Sequence, residues 1–464
     1  MSDRLYTTGS GQGSEVNGSA DKVSRYFTLI FISLCVPMFF TLGGLYLSFS
    51  RLLLLAAFPY LFFKVYFGKC GRVVWTDIAM LLFVVALGAS IFVNNRSVFI
   101  TFVGSNAIII LGGYLAGRVF IRGHMAFISF IKLFGVIILL TLPFALYESQ
   151  TSVMVIARLI DKLPLVSSSI DVNYPPRRGL YRVQVVFTHP IHYGLFSSMC
   201  FSLIFIGFRT ILSYPSRIAW SACIALCCFL SVSSGPVLSM LVQVMLIAYG
   251  RLTLGVRNRW KILLGVSAFL YIILDLSSSR PAYFAIAERM AFDSHTAYVR
   301  KILLEYGLAQ IGRTPYLGVG YNKWELPNYM SGSLDNYWLM TALVYGIPAF
   351  VFLSSAFLYT LIKVGNSDFS GETQICDIRL GWALVIVSLI FTLATVAIWS
   401  DIATLVFMFL GSGVWMIGYK PATSIPAQSP VPDNRKLAFT RFPNGTATSL
   451  SRREMPLEKG RERA

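Results

Sequence analysis

The chain has 464 residues, of which 56% are apolar and only 13% charged, and its mean hydropathy is +0.67. Soluble domains carry about 25% charged residues, so the composition argues against a soluble multi-domain enzyme. It argues equally against a disordered chain, which would be poor in Phe, Tyr and Leu. A formal charge of +18 on so apolar a chain reads as loop orientation rather than nucleic-acid binding.

Residues 1–25 are polar and rich in Gly and Ser. They lack the short apolar core and small-residue cleavage site of a secretory leader. The first span is therefore expected to act as its own insertion signal. Apolar stretches of roughly 20 residues then recur, each long enough to cross a bilayer core of about 30 Å. They predict an all-α polytopic integral membrane protein with about 12 transmembrane helices. The spans are 26–49, 52–68, 76–94, 98–116, 125–147, 192–213, 217–233, 235–250, 261–277, 337–363, 379–399 and 402–419. Residues 420–464 are rich in Ser, Pro and charge, and both tails read as disordered. The basic C-terminal tail reads as a solvated chain end or a contact with anionic lipid. The seven cysteines lie mostly in or beside apolar runs and read as packing residues. None has the spacing and histidine partners of a metal site, so no metal and no cofactor is expected.

With the N-terminus inside, most of the 39 Lys and Arg fall on inner segments. The positive-inside rule is then met with both tails cytoplasmic. Two outer loops are long, 148–191 and 278–336. A transporter keeps ionisable groups or broken helices within its spans, but these spans are nearly free of charge. Lys64 and Lys132 are the exceptions and read as snorkelling side chains. The functional residues are therefore expected in the two outer loops.

The first loop carries Arg158, Lys162, Arg177, Arg178 and Arg182 against Glu148, Asp161 and Asp171. Arginine is disfavoured on the translocated side, so the cluster within Pro-Pro-Arg-Arg-Gly-Leu-Tyr-Arg (175–182) has two readings. It can bind an anionic ligand such as a lipid-linked diphosphate, because guanidinium matches phosphate oxygens bidentately. Or it is a solvated loop paired with lipid phosphates. His189, before Pro190, is expected to be extended just ahead of a helix, and His192 lies one turn inside it. Both read as structural or substrate-positioning residues.

In the second loop the spacing predicts an amphipathic helix over Ala297–Ile311. Val299, Ile302, Leu303 and Tyr306 share one face, and Lys301 and Glu305 pair four residues apart. Such a helix can lie on the membrane surface and hold Arg300 near headgroups. Thr-Pro-Tyr-Leu-Gly-Val-Gly-Tyr-Asn (314–322) marks a turn. Asp335, where the tenth span begins, is either a helix cap or a general base.

Several of these elements together resemble the O-antigen ligase and Wzy-type polysaccharide polymerase superfamily. Arg178 and Gly194 enclose 15 residues, similar to an R-x15-G pattern of such polymerases. Arg300 followed by Pro315-Tyr316-Leu317-Gly318-Val319-Gly320 resembles the family's arginine and its P-x-x-G-x-G element. Asp335-Asn336, nine residues and Gly346 match the spacing of the ligase motif H-N-x9-G-x-x-G. Here Asp stands in place of His and Ala349 in place of the last Gly. The resemblance covers about residues 125–420.

The resemblance implies a GT-C-like membrane glycosyltransferase whose two long loops are periplasmic, in a bacterial inner membrane. It implies a glycan on undecaprenyl diphosphate as donor and acceptor, an inverting displacement and no metal. Arg178, Arg182 and Arg300 would bind the diphosphate, and Asp335 would act on the attacking hydroxyl. Arg177, His189, His192, Arg289 and Asn336 would bind substrate. The missing histidine favours a polymerase of exopolysaccharide or capsular repeat units. An O-antigen ligase, and a lipid-linked oligosaccharide flippase from a different class, are the alternatives. Flippase and chain-length or export proteins are the partners such a polymerase would have.

Overall fold

The computed structural model describes residues 23–42, 45–164, 166–168, 172, 174–177, 179–277, 294–327, 329–330, 334–369 and 371–419. All described elements belong to one unit, Met1–Tyr419. The predicted tails, apart from a few residues, lie outside the described set.

Ten of the described helices are long and apolar enough to cross a membrane. The chain is thus a multi-pass membrane protein. In order, α1 (Arg25–Ser33) leads to β1 (Met38–Leu42) and β2 (Leu45–Ser48), then to α2 (Phe49–Tyr66) and α3 (Trp75–Asn94). One long span runs through α4 (Phe99–Ala107), a π-helical turn and α5 (Gly113–Phe120). Then come α6 (His124–Thr151), α7 (Val155–Ile160), β3 (Ser167–Ser168) and α8 (Pro190–Ser202). The chain continues with α9 (Tyr214–Leu230), α10 (Ser234–Leu252), α11 (Arg259–Ser277) and α12 (Ser294–Arg313). It ends with α13 (Tyr337–Tyr345), α14 (Ile347–Gly365), α15 (Thr373–Leu393) and α16 (Ser400–Ser412).

The structure departs from the twelve predicted spans in three places. The span expected over 26–49 is a nine-residue helix followed by a hairpin. Pro37 lacks a donor to continue the helix, and Gly43-Gly44 between two apolar runs is hairpin chemistry. The hairpin pairs Phe39 with Ser48, and β3 adds to it antiparallel with Ser168 opposite Met38. The span expected over 217–233 is a shorter helix, α9, of 17 residues. The span expected over 337–363 breaks at Gly346, whose φ of +90° separates α13 from α14. In addition, α15 stops at Leu393, so residues 394–399 are not helical. That stretch proves central to the site.

Lipid tails are as apolar as the helices, so helices associate through close packing and polar contacts. The tightest contact joins α5 and α16. A Cβ on Gly117 would collide with the Met408 carbonyl, and one on Gly411 with the Tyr114 carbonyl. At the end of the bundle away from the long loops, Asp77 at the start of α3 is fully buried. It accepts from Tyr114 Oη at 2.6 Å, Val74 N at 2.9 Å and Arg118 Nε at 3.3 Å. Arg118 also donates to the Cys70 and Arg72 carbonyls. Lys132 projects exposed from α6, as a snorkelling residue does. Lys64 donates to Tyr60 one turn back.

Gly117→Val is expected to cost about 1–3 kcal/mol or more through overpacking, seen as a lower melting temperature of the detergent-solubilised protein. Gly265→Ala, on α11 with open space around it, should change stability by less than about 0.5 kcal/mol.

Candidate functional site

The first long loop returns to the bundle as a non-helical segment over 181–184 followed by a turn over 185–187. It is laced between two helix ends. The buried carboxylate of Glu148, in the last turn of α6, accepts the Gln184 N–H at 2.8 Å and the Val185 N–H at 3.1 Å. The Val183 N–H donates to the Leu230 carbonyl at the end of α9 at 3.1 Å. Two β-branched residues at this junction hold left-handed backbone, Val185 at φ +47° and Val232 at φ +43°. Such strain persists only where surrounding structure imposes it.

This lacing buries Arg182. Its Nη2 donates to Ser233 Oγ at 3.1 Å, and its guanidinium lies over the Tyr174 ring at 5.4 Å. Its Nε is buried with no hydrogen-bond partner among the described residues. Burial and the charge of Arg177 push Arg182 down to about 10, against the pull of Tyr174 and Asp335. It remains charged at neutral pH. Arg177 itself is exposed and closes a small turn by pairing with Leu180.

His189 is the N-cap of α8, and Pro190 starts the helix, as the sequence predicted. The Nδ1 of His189 accepts the Ile191 N–H at 3.0 Å. Its ring stands edge-on to Tyr174, 4.5 Å away, and 5.9 Å from the ring of His192. Trp399 closes the group, 4.0 Å from His192 and 5.7 Å from His189. Burial, then Arg182 and Arg177, push His189 down to about 4. At neutral pH it is an uncharged group beside two cations. His192 is buried, and its Nε2 has no partner among the described residues.

The second long loop contributes α12. The helix expected over Ala297–Ile311 extends over Ser294–Arg313, and Lys301 and Glu305 approach at 3.8 Å. It does not simply lie on a lipid surface. Leu303 and Ile311 pack with Leu339 and Leu343 of α13. Tyr306 is exposed rather than part of that face, because Gly307 makes the close approach to Leu339 instead. Arg300 therefore points into the bundle, not at headgroups. Its Nη2 donates to the Thr395 carbonyl at 3.2 Å, and its Nε is a second buried donor without a partner among the described residues. Burial lowers its affinity for protons, Asp335 raises it, and Arg177 lowers it.

The turn over 314–322 clamps this loop down. The Val319 and Gly320 N–H groups donate to the Leu343 and Val344 carbonyls at 2.9 and 3.0 Å, and Ile347 N donates to the Pro315 carbonyl at 2.7 Å. Gly318 and Gly320 take φ of +62° and +61° against Val344 and Asn95. Only glycine fits there without strain. The clamp fixes the start of α13. Asn336, not Asp335, caps that helix, with Oδ1 accepting the Leu339 N–H at 3.0 Å. Asp335 is left exposed, and its charge favours the charged forms of both Arg182 and Arg300.

Arg177, Arg182, Arg300, Asp335, Asn336, His189 and His192 thus gather at one end of the bundle. Arg178 and Arg289 lie outside the described residues. Sequence reading missed Tyr174, Ser233, Thr395 and Trp399. Only the last carried a signal, as a tryptophan in Trp-Ser-Asp (399–401) between two apolar runs. No protein-family model matches the chain, and no curated protein sequence matches it.

An unfolded chain takes up a proton at its histidines near the ordinary value of about 6.5, whereas His189 resists until about pH 4. Stability is therefore lost as pH falls through that window, by up to about 1.4 kcal/mol per pH unit. His189→Asn keeps a cap acceptor but cannot titrate. Its melting temperature should fall less steeply than wild type between pH 6.5 and pH 4. Identical slopes would refute the assignment.

Proposed function

We propose that the chain is a GT-C-like glycosyltransferase of the bacterial inner membrane, with both termini cytoplasmic. It joins undecaprenyl-diphosphate-linked repeat units into a long exopolysaccharide or capsular polysaccharide. The single observation that carries this reading is that Arg182 and Arg300, both coupled to Asp335 and Arg177, each keep a buried Nε lacking a partner among the described residues. They come from loops more than a hundred residues apart. Each is tethered through one Nη to a neutral oxygen rather than to a carboxylate, which leaves the charge for a ligand. Paired guanidinium groups suit a diphosphate.

In this mechanism an acceptor sugar hydroxyl attacks the anomeric carbon of the donor. The new C–O bond forms as the anomeric carbon–oxygen bond to the diphosphate breaks, and that electron pair leaves on the diphosphate oxygen. Arg182 and Arg300, with Arg177 nearby, stabilise the charge developing there. Asp335, exposed beside them, accepts the hydroxyl proton or orients the hydroxyl. His189 is neutral at working pH and positions rather than donates. One displacement gives inversion, and no step calls on a metal.

Arg182→Lys and Arg300→Lys keep the charge and lose the fork. In producing cells deleted for the gene, each variant at normal protein level should restore at most about a tenth of the wild-type polymer. A single charge-assisted hydrogen bond is worth about that factor. Single repeat units should accumulate on the lipid carrier. Full-length polymer stranded on its carrier would instead indicate a ligase. Unchanged glycans in the deletion strain would overturn the glycosyltransferase reading and favour a transporter.

A further inference from the structure

Beyond Trp399 lies a cavity of about 620 Å³ between α4, α13 and the start of α16. That volume is within the range of small-ligand pockets, about 300–1,000 Å³. Arg51, in the first turn of α2, is the one charged residue lining it among the described residues. The Arg51 Nε is buried and has no hydrogen-bond partner there. The Arg51 backbone N–H donates to the Ser48 hydroxyl at 3.3 Å, and the Asp401 carboxylate attracts its guanidinium without closing an ion pair with it. Ser48 caps α2 and meets Ser50 Oγ at 2.8 Å, and Ser50 donates to Asp401 at 2.5 Å.

The rest of the lining has two chemistries. Phe102, Tyr321, Tyr345 and Trp399 supply aromatic rings, which offer flat apolar faces with a polar edge on Tyr and Trp. Thr101, Ser105 and Asn106 supply hydroxyl and amide groups from α4. Thr101 Oγ1 and Asn106 Nδ2 each already donate to a backbone carbonyl one turn back, but an acyl or polyprenyl chain would still leave the buried Arg51 Nε unsatisfied, at a cost. A sugar ring with a carboxylate would use all three: rings for its faces, side-chain polar groups for its hydroxyls and Arg51 for its charge.

We infer that this cavity is a saccharide subsite selective for a carboxylate-bearing sugar, distinct from the arginine cluster that takes the diphosphate. Trp399 is the wall between the two, touching the histidines on one side and the cavity on the other. The inference rests on the proposed function only for the claim that the bound sugar belongs to the glycan being extended.

The test uses the purified full chain in lipid nanodiscs, with glucuronate and glucose as probes and saturation-transfer NMR as the readout. Wild type should bind glucuronate about tenfold more tightly than glucose, the worth of a charge-assisted hydrogen bond. That comparison needs no variant to fold. Arg51→Gln should bring the preference below about twofold and Arg51→Lys should leave it intermediate, whereas Arg182→Gln and Arg300→Gln should retain it. Equal binding of the two sugars by wild type would overturn the subsite. So would an undiminished preference in Arg51→Gln, or displacement of glucuronate by farnesol, which would assign the cavity to an apolar chain. Glycan profiles in cells report on the transferase reading alone and sugar preference on the cavity alone, so either can fail by itself.

Discussion

A backbone that leaves its helix near a bilayer must find hydrogen-bond partners within the protein. At the loop-bearing end of this bundle that requirement organises everything else. Glu148 spends its carboxylate on two backbone N–H groups of the segment that carries Arg182. Ser90 Oγ donates to the Leu317 and Val344 carbonyls, and Asn95 Oδ1 accepts the Tyr321 N–H. The freed Thr395 carbonyl, just past α15, is met by Arg300 itself. The site is built where irregular backbone is satisfied by side chains, which come from α3 and its C-cap Asn95, from α6 and from α12.

The electrostatic consequence follows directly. Arg177 repels both Arg182 and Arg300, and the acid that attracts these two, Asp335, is exposed. Like charges in a partly desolvated place repel, and burial alone already disfavours them. The groups that accept hydrogen bonds from the Arg182 and Arg300 guanidiniums are a hydroxyl and a carbonyl oxygen, with Asp335 acting on them without an ion pair. The contrast with the opposite end is instructive. There Arg118 is closed off by Asp77 and two carbonyls. One arrangement spends its charge internally as structure, where removing one partner would cost about 3–5 kcal/mol. The other leaves a net positive potential that an anion would relieve.

Helices α3, α6 and α10 were legible because long apolar runs with breaks have one physical outcome in lipid. Helix α12 was legible from its 3.6-residue spacing, and the His189 cap from the proline that follows it. Three features were not. Residues 26–49 are apolar throughout, so hydropathy alone could not separate a span from a short helix and hairpin. Pro37 and Gly43-Gly44 held that information in local chemistry. The choice of Asn336 over Asp335 as cap was invisible because both residue types cap well. The partners of the arginines were hidden for a deeper reason. Thr395 contributes a carbonyl and Ser233 a single hydroxyl, and which backbone group faces which guanidinium is set by tertiary packing.

Residue Trp399 shows how these constraints meet. It precedes α16, whose first residue, Ser400, takes a φ of +54°. A non-glycine residue held there stores about 1–3 kcal/mol of strain. That geometry turns the chain sharply between the non-helical stretch 394–399 and a buried helix. It lets the indole reach His192 while Ser400 and Asp401 stay within the polar chain behind Arg51. A relaxed turn at the same place would separate the two groups of buried polar residues. The strained one keeps a single aromatic side chain against His192 on one side and at the wall of the cavity on the other.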